Sequence, residues 1–174
     1  MPRLSALAML LTLSGCGIFD TAPKFPPICP TLGLLDDAAD LTRFNGSGRD
    51  ITDIVLDGRI TAVPAKCVRG AKNQVKTTLQ VKLSVARGTA ATSRQATIGY
   101  VVTVLDGETI IDQQDYAITG SFPPNVERLD LSGPEITLLF PVTATKTAAA
   151  YKIFISLRLT PDELATNRKR GQRL

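Results

Sequence analysis

From Val75 to Val85 the chain alternates apolar and polar side chains: Val75, Leu79, Val81, Leu83 and Val85 fall on one side, and Lys76, Thr78, Gln80, Lys82 and Ser84 on the other. A period of two gives a strand one dry face and one wet face, whereas the same spacing scatters apolar residues around a helix. The segment is therefore a strand of a half-buried sheet, and most of the other regular segments are of the same kind. Residues 51–63 alternate around Ile54, Leu56, Ile60 and Ala62, with Asp57-Gly58 as a bulge or turn. Residues 96–105 are rich in Val, Ile, Thr and Tyr. They lead into Asp106-Gly107, a two-residue hairpin signal, and a partner strand over 108–118. Phe122-Pro123-Pro124-Asn125 breaks the pattern, and 136–143 and 151–159 supply two more strands, joined by a loop or loose helical turn over 145–150.

The exception is Thr160-Pro161-Asp162-Glu163. Thr160 suits a helix N-cap, Pro161 the first helical position, and Glu163 completes a capping box, so a short helix is predicted through about Asn167. Six or seven strands without a helix long enough for a crossover predict an all-β fold. The expected form is an antiparallel immunoglobulin/fibronectin-like β-sandwich with a short C-terminal helix, with a small barrel as the alternative. The Cys–Trp–Cys pattern of antibody domains is absent, so only the architecture is expected.

The first thirty residues are of another kind. Met1-Pro2-Arg3 carries one positive charge, residues 4–13 are uncharged and mostly apolar, and Leu13-Ser14-Gly15-Cys16 follows. This is the layout of a signal peptide, and its apolar run is shorter than the roughly twenty residues that a membrane-crossing helix needs. Leu13-Ser14-Gly15-Cys16 resembles the lipobox of bacterial lipoproteins, an aliphatic residue and two small ones before the cysteine. The resemblance implies cleavage before Cys16 and attachment of diacylglycerol to its sulfur, a permanent membrane anchor. The next residue is Gly17 rather than Asp, which by the same resemblance points to the cell outer membrane, periplasmic face. The alternative is an ordinary signal peptide with a chance cysteine. Residues 16–30 then read as lipidated cysteine and tether. Pro23, Pro26, Pro27 and Pro30 favour extended backbone that holds the domain off the bilayer by roughly 3 Å per residue.

With Cys16 lipidated, Cys29 and Cys67 remain, an even pair in an oxidising compartment, and a disulfide between them is expected. Two free thiols or a metal pair are the alternatives. The expected organisation is a signal peptide over 1–15, a tether over 16–30, one sandwich domain over 31–167 and a basic tail over 168–174. Residues 159–168 also look similar to the end of small uncharacterised envelope lipoproteins, a Leu-Thr-Pro-Asp/Glu-Glu-Leu segment followed by Asn-Arg. That resemblance implies no established activity.

The chain has no histidine. Ser-His-Asp and Cys-His arrangements, histidine proton shuttles and histidine-bearing zinc sites are therefore excluded. Asn45-Gly46-Ser47-Gly48 lacks the lysine and following helix of a phosphate loop and reads as a flexible turn. Asp36, Asp37, Asp40, Asp50, Asp53 and Asp57 supply hard oxygens of the kind calcium prefers, but in an order unlike the helix–loop–helix calcium loop. An acid-rich helix start over 34–41 accounts for the first three. No cofactor, no metal and no enzymatic activity are expected.

Charge is segregated along the chain. No acid occurs over 58–105, which carries Arg59, Lys66, Arg69, Lys72, Lys76, Lys82, Arg87 and Arg94. Over 106–135 seven acids face only Arg128. Either neighbouring strands complement one another, or a basic face meets anionic lipid, lipopolysaccharide or an acidic partner. The C-terminal Arg168, Lys169, Arg170 and Arg173 form either a solvated tail or a contact for anionic head groups, cell-wall polymer or a partner protein. The sequence thus points to a non-enzymatic binding or scaffolding accessory of a cell-envelope assembly. It would touch the membrane through its lipid and an envelope protein through its surface, with no nucleic acid. The alternative is a carrier of a lipid or small apolar ligand.

Overall fold

A computed structural model describes residues 27–71 and 73–171. Among them are nine strands and one helix: β1 (Thr31–Leu34), β2 (Asp40–Phe44), β3 (Ile54–Ala62), β4 (Ala65–Arg69), β5 (Gln74–Arg87), β6 (Gln95–Asp106), β7 (Thr109–Ser121), β8 (Arg128–Pro141), β9 (Tyr151–Leu157) and α1 (Pro161–Arg170). One sheet has the order β1-β9-β6-β7. The other is built on β5, with β8 along one edge, β3 and β4 end to end along the other, and β2 outside β3. Every pairing is antiparallel except β1 with β9. The expected all-β sandwich with a short C-terminal helix is the fold. The strands β3-β5-β8 against β9-β6-β7 follow the Greek-key scheme of immunoglobulin-like sandwiches, and β1 lies beside β9 where that scheme places its last strand.

The core is made by the faces that alternation marks. Leu79, Val81, Leu83 and Val85 of β5 meet Ile98, Tyr100, Val102 and Val104 of β6 and Ile153, Ile155 and Leu157 of β9, all buried. The β6–β7 hairpin turns at Gly107-Glu108, one residue later than Asp106-Gly107 suggests, because Asp106 still pairs with Thr109. Gly107 has φ 62°, in the first central position of a two-residue loop, which L side chains rarely tolerate. Several boundaries differ from the sequence reading for identifiable reasons. Asp57-Gly58 is neither bulge nor turn: Gly58 pairs with Leu41 on one side and Val85 on the other, so two neighbours hold β3 straight. Residues 51–53 form a 3-10 turn closed by a capping box between Asp50 and Asp53, and the strand begins only at Ile54. The acid-rich helix start reduces to one 3-10 turn, Asp36–Ala38, because the chain must pass from β1 in one sheet to β2 in the other within a few residues. β8 reaches back to Arg128 through Gly133-Pro134, which sits where the ladder slips between Gln80 and Lys82 and proline costs no ladder bond.

Two core residues, Thr77 and Tyr100, carry a hydroxyl without a hydrogen-bond partner among the described residues. The Tyr100 ring stacks on Tyr116 with centroids 5.3 Å apart, but its buried hydroxyl has no hydrogen-bond partner among the described residues. Burial, and secondarily the neighbouring Tyr116, pushes its pKa up to about 12. A phenol raised in the folded state loses nothing below pH 10, and destabilises the fold as pH climbs from 10 towards 12. Tyr100→Phe should therefore gain about 1 kcal/mol at pH 7, since an unpaired buried hydroxyl is a net cost, and the gain should widen above pH 10. Urea unfolding at pH 7 and pH 11 measures both; a loss at pH 7 would mean that the hydroxyl is held by a partner.

Candidate interaction surface

Two chemically distinct ends flank the sandwich. At one end Cys29 and Cys67 form the expected disulfide, with Cα atoms 6.0 Å apart. Cys29 lies just before β1 on the edge of one sheet, and Cys67 in β4 on the edge of the other, so the bond ties the two sheets together. Thr31 and Leu105 both pair with Lys152, which puts the incoming N-terminal segment at the same end as the β6–β7 turn. A cleft of about 350 Å³ opens beside it, lined by Pro27, Ile28, Val75, Val142 and Ala148 together with Arg69. Cys16, with the expected signal peptide and the first part of the expected tether, lies outside the described residues.

No protein-family model matches this chain, and neither does any curated protein or solved structure. Its surface must be read from its own chemistry.

The opposite end is closed by α1, which follows β9. The predicted capping box is present: Glu163 N donates to Thr160 Oγ1 (3.2 Å) and Thr160 N donates to Glu163 Oε2 (2.8 Å). The other oxygen of this buried carboxylate accepts from Arg43 Nε of β2 at 3.0 Å. Asn167, also buried, donates through its amide nitrogen to the carbonyl oxygens of Asp37 (2.9 Å) and Asp40 (2.7 Å). The helix does not stop at Asn167 but runs to Arg170, and this corrects the expected start of a free tail. Arg168 pairs with Asp37 at 3.1 Å, while Arg170 donates to Thr42 Oγ1 and lies over the Phe44 ring. Cations also suit the last turn of a helix. Lys169 is exposed. Arg173 lies outside the described residues. Arg49, which sequence reasoning passed over, covers Phe44 as well and pairs with Asp162 at 2.5 Å.

The aspartates weighed as oxygen ligands are dispersed. Asp37 and Asp40 pair with Arg168 and Arg59, Asp50 and Asp53 cap a turn, and Asp57 accepts from Thr42 Oγ1 at 2.9 Å. Between the basic and acidic stretches one ion pair forms among the described residues, Arg87 with Glu127 at 3.3 Å. Further acids pair elsewhere: Asp106 with Lys146, and Asp115 with Arg158 at 3.3 Å. Lys146 has its pKa raised, chiefly by its hydrogen bond to Asp106. Strand complementation thus accounts for only part of the charge segregation.

Proposed function

We propose that the chain is a non-enzymatic periplasmic lipoprotein, anchored through Cys16 to the cell outer membrane and acting as a binding or scaffolding accessory of a cell-envelope assembly. The observation that carries the reading is the Cys29–Cys67 bond. It suits an oxidising compartment and fastens the segment that follows the lipobox cysteine to both sheets of a rigid domain. Force or position imposed at the anchor would therefore reach the whole sandwich. With no histidine in the chain, commonplace acid–base and nucleophilic machinery is missing. The exposed Lys169, and Arg173 beyond the described residues, are the members of the basic group proposed to meet an anionic partner; Arg168 and Arg170 hold the helix.

Cys16→Ser should abolish palmitate labelling and move the chain from the membrane pellet to the soluble periplasmic fraction, while in-cell cross-linking of the native chain should recover one envelope assembly. Retention of label and membrane association by the variant would overturn the anchor. The second reading, a carrier of a lipid or small apolar ligand, is favoured by the open cleft at Ile28, Val75 and Val142. A lipid adduct in native mass spectra, with no cross-linked protein, would put that reading first.

A further inference from the structure

A sandwich must protect the outer edges of its sheets, because an unpaired strand presents backbone donors and acceptors to any other chain. Here most edges are managed. β1 has four residues and is fastened by Cys29. β2 lies under α1. β4 has five residues and carries Lys66, Arg69 and the other half-cystine. β8 contains Pro134 and Pro141.

β7 is different. It is thirteen residues long, pairs with β6 alone, and contains neither proline nor a basic side chain. Its far end is packed: Gly120 lies so close to β8 that a Cβ there would come within 2.7 Å of Leu131. Its near part, residues 109–115, is exposed on both faces, with Ile110 58% and Ile111 52% accessible. Ile111 is the extra residue of a bulge, since Val104 pairs with Asp112 and Leu105 with Ile110, so the two isoleucines stand side by side.

The charge of this open edge has one sign. Residues 95–121, the whole hairpin, contain Asp106, Glu108, Asp112 and Asp115 and no basic side chain. Asp106 and Asp115 are neutralised from elsewhere by Lys146 and Arg158; Glu108 and Asp112 have no ion pair among the described residues. Asp112 is also held in place. Tyr116 Oη donates to Gln114 Oε1 at 2.7 Å, and Gln114 Nε2 donates to Asp112 Oδ2 at 3.1 Å, a row along alternate residues of one face. Much of the ordering entropy that binding would otherwise cost is thereby already spent.

We propose that the outer edge of β7 over residues 109–115 docks an extended basic segment of a partner protein, which adds to the sheet as a further strand. Backbone hydrogen bonds would give the affinity, cationic side chains would meet Asp112 and Glu108, and interleaved apolar side chains would cover Ile110 and Ile111. A second copy of this chain is disfavoured as occupant, because β7 against β7 would set like charges together. The proposal rests on the reading of the domain as a binding module and gives that module its site and the chemistry of its partner.

The test titrates the full-length chain in detergent micelles with a fluorescein-labelled peptide of alternating lysine and valine, about seven residues long to match the exposed part of the strand. Controls are the glutamate–valine counterpart and the lysine–valine peptide with every backbone amide N-methylated. The lysine–valine peptide should bind and protect amides of residues 109–115 from hydrogen exchange, and both controls should fail. Glu108→Lys/Asp112→Lys, at exposed positions, should weaken binding by about tenfold or more and transfer preference to the glutamate–valine peptide. No binding, binding that survives N-methylation, protection confined to another edge such as β4, or concentration-dependent self-association through β7 would each overturn the proposal. The assay reads peptide binding and not membrane attachment, so its failure is distinct from failure of the Cys16→Ser test.

Discussion

Replacing Cys29 and Cys67 together by serine should lower the unfolding free energy by about 4 kcal/mol, the chain-entropy value for a closed loop of this size. The bridged residues are 38 apart in sequence. For a domain of this length the midpoint of thermal unfolding should fall by roughly 10 °C, and the native chain in strong reductant should behave as the variant does. The loss should also be uneven. β1 contributes only four residues, paired in parallel with β9, and its Leu32 and Leu34 are only partly buried against the core. Cys67 lies in a five-residue edge strand with no buried side chain. Without the bond, hydrogen exchange should accelerate first in β1 and β4, while the central strand β5, paired on both sides, keeps its protection. A change under 1 kcal/mol would mean that apolar contacts alone hold β1 in place.

The same contrast separates what sequence reveals from what it hides. β5 is legible because fourteen residues give an alternation long enough to fix both strand and face. β1, β2 and β4 are four or five residues each, too short to establish a period, and they exist because longer neighbours present edges to them. Gly58 looks like a break in isolation and is regular in place, since tertiary pairing on both sides overrides its local preference. The cysteine pair is legible by counting. The strand of β7 is legible too, but its exposure on both faces is not, because that depends on where β8 stops covering it. At the C-terminus the capping residues Thr160 and Glu163 can be read locally. Their distant partners cannot: Arg43 is 120 positions from Glu163, and Asp37 is 130 from Asn167.

Those distant partners make Asn167 a sensitive position of α1. Asn167→Ala should cost about 2 kcal/mol, the loss of two hydrogen bonds to backbone carbonyls that the helix itself partly shields. Asn167→Asp, though nearly the same shape, should be worse at about 3 kcal/mol, because it faces a carboxylate toward the carbonyl oxygens of Asp37 and Asp40 where a donor stood at 2.9 and 2.7 Å. The penalty has a sign in pH. The introduced carboxyl is disfavoured in its charged form, so its folded pKa lies above the ordinary value of about 4. The Asp variant should therefore recover towards the Ala variant as pH falls through that raised pKa, because protonation restores one donor, whereas Asn167→Ala should show no such recovery. Urea unfolding of the three proteins at pH 7 and pH 4 measures this. Equal stability of the Asp variant and the native chain at pH 7 would show that the amide does not donate to these carbonyls. Release of the helix would also expose Phe44, now covered by Arg49 and Arg170, and free Arg43 from Glu163. The geometry of the sandwich would survive, but a new apolar and cationic surface would open at the end opposite the Cys29–Cys67 bond. Any partner gained or lost by the Asn167 variants would therefore be read at that end, independently of β7.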